Sequence, residues 1–524
     1  MTAARIICFL SLSASLQASD LDTIGVTLLK QVDPSLQGSG VKVAQVESPL
    51  DGSSPPPFEV GPAAVGQPAA LFTWISGSGT SSVFTNTAGV ESFHADLVGG
   101  NFYGATNGAA PQVNHVDNYE ANQYINNVVA PLVSSQGRVV NQSFIVDPSF
   151  EQLVNTDYDN YAAQYGTLFV SGIAGVNNVR PICAPGTSYN GIGVSAYGAF
   201  NLPGPTSDGR CKPDIASPDQ AQAPNGAVSY ATAYASGAAA ILVQAAKRGD
   251  GGANTNGASD LRNIKALLLN GAVKPAGWTN SPATPLDALY GAGIVNVFNS
   301  WMQLKGGQRA FIESTTVTSG AAHPPGANTN NVAVLSGWDT NSISTTTSQD
   351  RINHYYFKLT GTNSFTFTAT LVWNKQLGKT SINDLNLFLY NTANSNLVAS
   401  SISAVDNVEH LSLPQLAPGR YDLQVLKKGS ATQVSAAETY ALAFDMFNLR
   451  LNIARSNNLV VVSWPLTPAG FRLQSSSALN PASWTSVIAT VNVDTNASRN
   501  VVTLSSGGAN QFYRLLRPTT DFGL

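Results

Sequence analysis

Three side chains have the types needed to activate a hydroxyl for attack on a carbonyl. Ser229 heads SYATAYASGAAAIL, a run built almost wholly of small residues. His94 lies in VESFHADLVGG, where a polar loop gives way to small apolar residues and a glycine pair. Glu47 closes VKVAQVE, whose Val41, Val43, Ala44 and Val46 read as a buried strand. An imidazole set between a hydroxyl and a carboxylate takes the hydroxyl's proton as the oxygen attacks, and the carboxylate steadies the imidazolium. Each residue also has a plainer explanation. Small-residue helices serve close packing, and a lone glutamate is most often a solvated turn residue. Of the other histidines, His115 in PQVNHVDNY reads as structural near a strand end, and His323, His354 and His410 fall in a later β region.

These groups work only if a scaffold aims them at one another. Between about Gly38 and Leu304, the runs VKVAQV, RVVNQSF, TLFVSGIAG and GIGVSA alternate with helical patterns and Gly-rich turns. Near-continuous apolar strands of this kind imply a parallel sheet covered by helices on both faces. LRNIKALLLNGAV, with leucines at helical spacing, reads as one of the covering helices. Glu47 then reaches the carboxyl edge of the sheet, where ligands collect in open α/β folds. A carboxylate ending a buried strand must be met there by a charge or a hydrogen bond. SDGRCKPDIASP precedes Ser229, and a strand–loop–helix arrangement would set the serine at a helix N-terminus. That end of a helix favours an alkoxide and the oxyanion that follows it.

The texture changes after Gly307. Phe365, Phe367, Ala369, Leu371 and Trp373 alternate with polar residues, as do Leu385, Leu387 and Leu389, then Tyr421, Leu423 and Val425. Period-two patterns separated by turns such as LAPGRY describe an antiparallel β-sandwich. A further block of short strands, LVVVSW, FRLQSSS, SWTSVIAT, NVVTLSS and FYRLLRP, begins near Leu451. At 524 residues the chain is too long for one core. The expected division is a leader at 1–19, an α/β domain at 20–306, a β-sandwich at 307–449 and a small β-domain at 450–524.

Composition narrows the function classes. Charged residues are 11% and the net charge is −4, so no basic surface for nucleic acid is implied. Arg5, the apolar run Ile6 to Leu12 and the small residues Ala14, Ser15, Ala18 and Ser19 have the pattern of a secretory signal peptide. No other apolar run approaches the length of a membrane span. Cys8 would leave with the leader, and the remaining Cys183 and Cys211 are equally compatible with a bridge and with two thiols.

In chain order, Glu47, His94 and Ser229 on a parallel α/β scaffold resemble the subtilisin-like serine peptidases. GSGVKVAQVES is similar to the first-strand motif ending in the catalytic acid, and HADLVGG to the histidine motif. RVVNQSF resembles the substrate-flanking strand, and GTLFVSGIAGVNN the strand leading to the oxyanion asparagine. DGRCKPDIASP followed by SYATAYASG is similar to the nucleophile region, and PLDALYGAGIVNV to the closing segment of the catalytic domain. The resemblance implies that Ser229 attacks, His94 takes its proton and Glu47 orients the imidazole. It further implies an oxyanion hole from the Ser229 N–H and the side chain of Asn177, with Asn178 as the neighbouring alternative.

This chain also departs from the family pattern. Glu47 stands where the family has Asp, Ala95-Asp96 and Ala227-Val228 where it has Gly-Thr, and Ala233 where it has Pro. Sedolisins, whose triad is Ser-Glu-Asp, put glutamate where this chain has His94, so they fit less well. The resemblance implies a secreted endopeptidase acting on protein or peptide substrates. No cofactor is expected for the chemistry, and no nucleic-acid partner or membrane span. Structural calcium is compatible with such proteins; Asp384 and Asp406 in the sandwich region are candidate ligands, and no metal site is assigned. The alternative is a catalytically impaired descendant that binds peptides or serves a structural role outside the cell.

Overall fold

The computed structural model describes residues 19–49, 53–197, 202–219, 227–326, 334–479, 483–506 and 510–516. The leader-like segment, up to residue 18, lies outside the described residues, as does the stretch 220–226 ahead of Ser229.

Eight strands form the first sheet. They are β1 (Lys42–Glu47), β2 (Phe72–Ser76), β3 (Gly79–Ser81), β4 (His115–Glu120), β5 (Val139–Gln142), β6 (Leu168–Gly172), β7 (Ile192–Tyr197) and β8 (Ile215–Pro218). Their order across the sheet is β8-β7-β6-β5-β1-β4-β2-β3. Every neighbouring pair is parallel except β2 with the edge strand β3. The expected α/β class is the one found. β1 is central because Val43, Ala44 and Val46 are buried whichever face they point to. Its carboxyl end opens between β4 and β5, where the chain order of the strands reverses and crevices form.

β4 does not follow the apolar-run rule. HVDNYE has four polar residues in six, yet five of the six are buried. Asn118 resolves the conflict: its side chain accepts the Val60 N–H at 2.8 Å and donates to the Gln45 and Phe58 carbonyls at 3.3 Å each. Buried polar groups are tolerated when they are paired this way.

Two helices carry the candidate residues. Helix α1 (Phe93–Phe102) is capped by Ser92. Helix α2 (Ala227–Arg248) carries Ser229 in its first turn. Its small residues permit close approach: a Cβ at Gly237 would lie 2.4 Å from the Ala109 Cβ and 3.2 Å from the Phe102 carbonyl. Gly172, the last residue of β6, makes similar room, since a Cβ there would lie 2.9 Å from Val228. The packing explanation of this run is therefore true, and it does not exclude a role for the hydroxyl. Helix α3 (Leu261–Asn270), expected to cover the parallel sheet, has nine of its ten residues buried and packs mainly against the sandwich strands Phe365–Trp373 and Ala437–Phe447. The segment from Leu286 to Val297 returns to the sheet and bridges β8 through Gly291 and Ile294.

The sandwich consists of β9 (Glu313–Thr318), β10 (Ser336–Ser344), β11 (Gln349–Leu359), β12 (Phe365–Trp373), β13 (Leu385–Asn391), β14 (Leu397–Ser401), β15 (Val408–Leu416), β16 (Gly419–Lys427) and β17 (Ala437–Phe447). One sheet runs β9-β11-β16-β13-β14 and the other β10-β17-β12-β15. Phe367, Leu371, Trp373, Leu387, Leu423 and Phe444 fill the space between them. The sandwich packs Val372, Val408, Ala441 and Ala443 into the core of the first domain and also pairs polar groups with it. The Lys375 N–H donates to Asn190 at 2.8 Å, and Asn190 returns a bond to the Lys375 carbonyl at 2.9 Å. Beyond it lie a four-stranded and a three-stranded antiparallel sheet. In SWTSVIAT only Thr485–Ser486 pairs as a strand.

Cys183 and Cys211 are separate thiols. Burial, with the Asp406 carboxylate adding to it, pushes the Cys211 thiol up to about 12. Asp406 is engaged by the Cys211 N–H and Ser403, each at 2.7 Å, and Asp384 pairs with Lys428 at 2.9 Å. Among the described residues, no cluster of three or more His, Cys, Asp or Glu side chains is arranged to hold a metal ion. None of their helices is long and apolar enough to cross a membrane.

Candidate active site

β1 delivers Glu47 to the carboxyl edge of the sheet, and the first turn of α1 delivers His94 above it. His94 Nδ1 lies 2.8 Å from Glu47 Oε2. A carboxylate only accepts, so Nδ1 carries the proton and the neutral ring leaves Nε2 free to act as a base. Glu47 is 1% exposed, and its other oxygen accepts from Gln45 Nε2 at 2.8 Å. The cost of burying this carboxylate is thus met at both oxygens. Burial disfavours charge on His94, but the charge and hydrogen bond of Glu47 outweigh it and raise the imidazole above its ordinary value.

Ser229 is the third residue of α2, where backbone N–H groups have no acceptor within the helix. Its hydroxyl is half-buried and donates to the Ser143 carbonyl at 3.5 Å. In return, Ser143 Oγ lies 3.1 Å from both the Ser229 carbonyl and Asn141 Oδ1. The end of RVVNQSF therefore cradles the first turn of α2. The next residue, Tyr230, sets its ring 6.4 Å from that of His94, centroid to centroid. The sheet edge thus gathers Glu47 and His94 in one hydrogen-bonded pair, with the Ser229 turn beside it. Among the described residues no hydrogen bond joins His94 to Ser229. Catalytic contacts of this type often tighten only when substrate is bound.

Asn177 and Asn178 follow β6 in a tight turn, both with left-handed backbones at φ 52° and 57°. Asparagine tolerates that conformation better than most residues. Both side chains are exposed, and among the described residues neither makes a hydrogen bond.

Two contributors were not singled out in the sequence. Gln45 and Tyr103 back the carboxylate, and the signal for Gln45 was a polar residue inside an otherwise apolar strand. Asp96, already conspicuous in the sequence, lies two residues beyond His94 in the first turn of α1. Burial raises its carboxyl to about 7, with Glu91 and Glu47 adding and the Gly61 N–H, 2.7 Å away, opposing. The remaining histidines serve other ends. His115 bonds Thr73 at 3.1 Å, and His354 pairs with Asp422 inside the sandwich at 2.8 Å.

No protein-family model and no curated protein matches the chain. Among solved structures it is similar to fervidolysin from Fervidobacterium pennivorans, a keratinolytic enzyme related to subtilisin. The identity is 12% over 93% of this chain and 79% of that one, with a TM-score of 0.36. It is similar to the Aeromonas sobria serine protease, solved with its chaperone, at 14% identity over 92% of this chain and 88% of that one, TM-score 0.34. A protease of Pseudoalteromonas arctica matches at 18% identity over 53% of this chain and 93% of that one, TM-score 0.35. Scores of this size carry no argument about activity. The functional reading rests on the residues themselves.

Proposed function

We propose that the chain is a serine endopeptidase in which Ser229 is the nucleophile, His94 the general base and Glu47 the orienting acid. The observation that carries this reading is the 2.8 Å bond from His94 Nδ1 to Glu47 Oε2, at the carboxyl edge of a parallel sheet and beside the first turn of α2. Ser229 Oγ attacks the peptide carbonyl carbon as its proton passes to His94 Nε2. The tetrahedral oxyanion is held by the Ser229 N–H and, on this reading, by Asn177. Collapse breaks the C–N bond, and the amine leaves with the proton from Nε2. Water then attacks the acyl-enzyme by the same route and releases the acid and Ser229. No cofactor takes part. The leader-like segment 1–19 favours action outside the cytoplasm, which N-terminal sequencing of exported protein tests.

A second reading, a peptide-binding descendant without turnover, is favoured by one observation. The Ser229 hydroxyl is directed at the Ser143 carbonyl rather than at an imidazole nitrogen. Hydrolysis of an unselective protein substrate separates the two. Ser229→Ala is expected to lower turnover by on the order of 10⁶. A parent protein no faster than this variant contradicts the peptidase reading.

A further inference from the structure

The family's acid is an aspartate, and the longer glutamate here has one more bond about which to swing. Something has to hold it. Gln45 lies two residues before Glu47 on β1, on the same face of the strand, and is fully buried. Its Nε2 donates to Glu47 Oε1 at 2.8 Å and to the Ala95 carbonyl at 2.9 Å. Its Oε1 accepts from the Tyr103 hydroxyl at 2.5 Å. This orientation is the one the chemistry allows. The Ala95 carbonyl can only accept, so the side-chain nitrogen must face it, and the oxygen then requires a donor. Tyr103 supplies one. Burial, reinforced by the charges of Glu47 and Asp96, holds its hydroxyl protonated, with its pKa well above the ordinary value. Gly99 gives the pair room: a Cβ there would lie 3.0 Å from the Tyr103 hydroxyl and 3.2 Å from Gln45 Oε1.

We infer that Gln45, its amide turned by the Ala95 carbonyl and buttressed by Tyr103, is the positioning residue that lets glutamate serve as the acid. Gln45 touches neither substrate nor the reacting atoms. It fixes one oxygen of Glu47 so that the other stays in line with His94 Nδ1. The Ala95 carbonyl, on the helix that carries His94, ties the same amide to the imidazole's own backbone. Carboxylate and imidazole are thereby indexed to one group. The inference rests on the peptidase reading for its catalytic consequence, while its structural content concerns only the Glu47–His94 pair.

The test uses Gln45→Met, which keeps the length and volume of the side chain and removes both donors, and Tyr103→Phe, which leaves the amide oxygen without its donor. The first readout is the NMR titration of the His94 imidazole, which needs no turnover. With Glu47 released, the midpoint is expected to fall toward the ordinary histidine value, and the low-field Nδ1 proton signal to broaden or vanish. The second is steady-state kinetics. A lost hydrogen bond to a charged group predicts that kcat falls at least about tenfold in Gln45→Met and less in Tyr103→Phe, with KM unchanged. An unchanged or raised midpoint in a folded Gln45→Met protein means that Glu47 keeps its place unaided, and the inference is wrong. Should Gln45→Met fail to fold, Gln45→Leu, which also removes the amide, decides by the same criterion. If the parent proves inactive while the midpoint falls as expected, the peptidase reading fails and the positioning role stands.

Discussion

Two of the histidine–carboxylate pairs among the described residues, His94–Glu47 and His354–Asp422, share a 2.8 Å bond and differ in what surrounds them. In the sandwich, His354 Nδ1 lies 2.8 Å from Asp422, and Thr315 Oγ1 lies 2.7 Å from His354 Nε2. Hydroxyl, imidazole and carboxylate are there joined end to end. At the edge of the parallel sheet only the His94–Glu47 half is joined, also at 2.8 Å. By hydrogen-bond geometry alone the sandwich would be the better triad. Access reverses that judgement. The His354 and Asp422 side chains are 1% and 0% exposed, whereas that of His94 is 21% exposed over a Glu47 at 2%. Asp422 also accepts from Gln424 Nε2 at 2.9 Å and the Gly326 N–H at 3.0 Å, which locks it into the sandwich. Thr315 sits within the edge strand β9, in register with Ile352, where N–H groups alternate with carbonyls along the strand and do not converge on one oxyanion. Ser229 sits in the first turn of a long helix, where such groups do gather. A relay becomes a site when one end is open and an oxyanion has somewhere to go.

The carboxylates should separate the two pairs most sharply. Glu47→Gln presents an N–H where an acceptor is required and favours the wrong imidazole tautomer. Turnover is expected to fall by about 10⁴-fold, as when the acid of a serine protease becomes its amide. Glu47→Asp keeps the charge but withdraws it from the ring, so its loss should be smaller, on the order of 10–100-fold. Asp422→Asn should leave turnover of the folded protein untouched and instead cost about 3 kcal/mol in denaturant unfolding, the signature of a broken buried pair. Activity lost in Asp422→Asn without loss of stability would erase the distinction between the pairs.

The pH dependence sharpens it. His94 must be neutral to act as a base, and Glu47 raises its pKa. The acid limb of kcat/KM is therefore expected above the ordinary histidine value of about 6.5, moving down in Glu47→Gln. The same shift contributes stability that is fully present below the unfolded-state value and is lost as pH rises through the folded one. An acid limb unmoved by Glu47→Gln would mean that the carboxylate does not govern the base.

The smallest effect concerns how α2 is seated. Gly237→Ala gains about 1 kcal/mol of helix propensity but forces a Cβ into Ala109, so a net loss of about 1–2 kcal/mol is expected by thermal unfolding. A more stable variant would show that the contact between α2 and the segment after α1 can relax without cost.

Much of this was legible in the sequence, for physical reasons. Strands buried on both faces spell apolar runs, so β1, β5, β6 and β7 were plain. Glu47, His94 and Ser229 stood out because reactive side chains sat at the ends of such elements. β4 was hidden because its buried polar residues are balanced by partners distant in sequence, such as Val60 for Asn118. Tyr103 was hidden likewise: its bond to Gln45 spans 58 residues and no local spacing encodes it, although a polar residue in an apolar strand marked Gln45 itself. The state of Cys183 and Cys211 was left open because pairing depends on where two loops come to rest. They rest apart.

The central claim is that the exposed, half-assembled pair marks the reactive hydroxyl and the sealed, complete one does not. Labelling of the whole protein with a phosphonofluoridate probe, followed by peptide mapping, tests this directly between pH 5 and 9. The account predicts a single adduct on Ser229, lost in Ser229→Ala and kept in Thr315→Ala. An adduct on Thr315, or no adduct on Ser229 anywhere in that range, would contradict it.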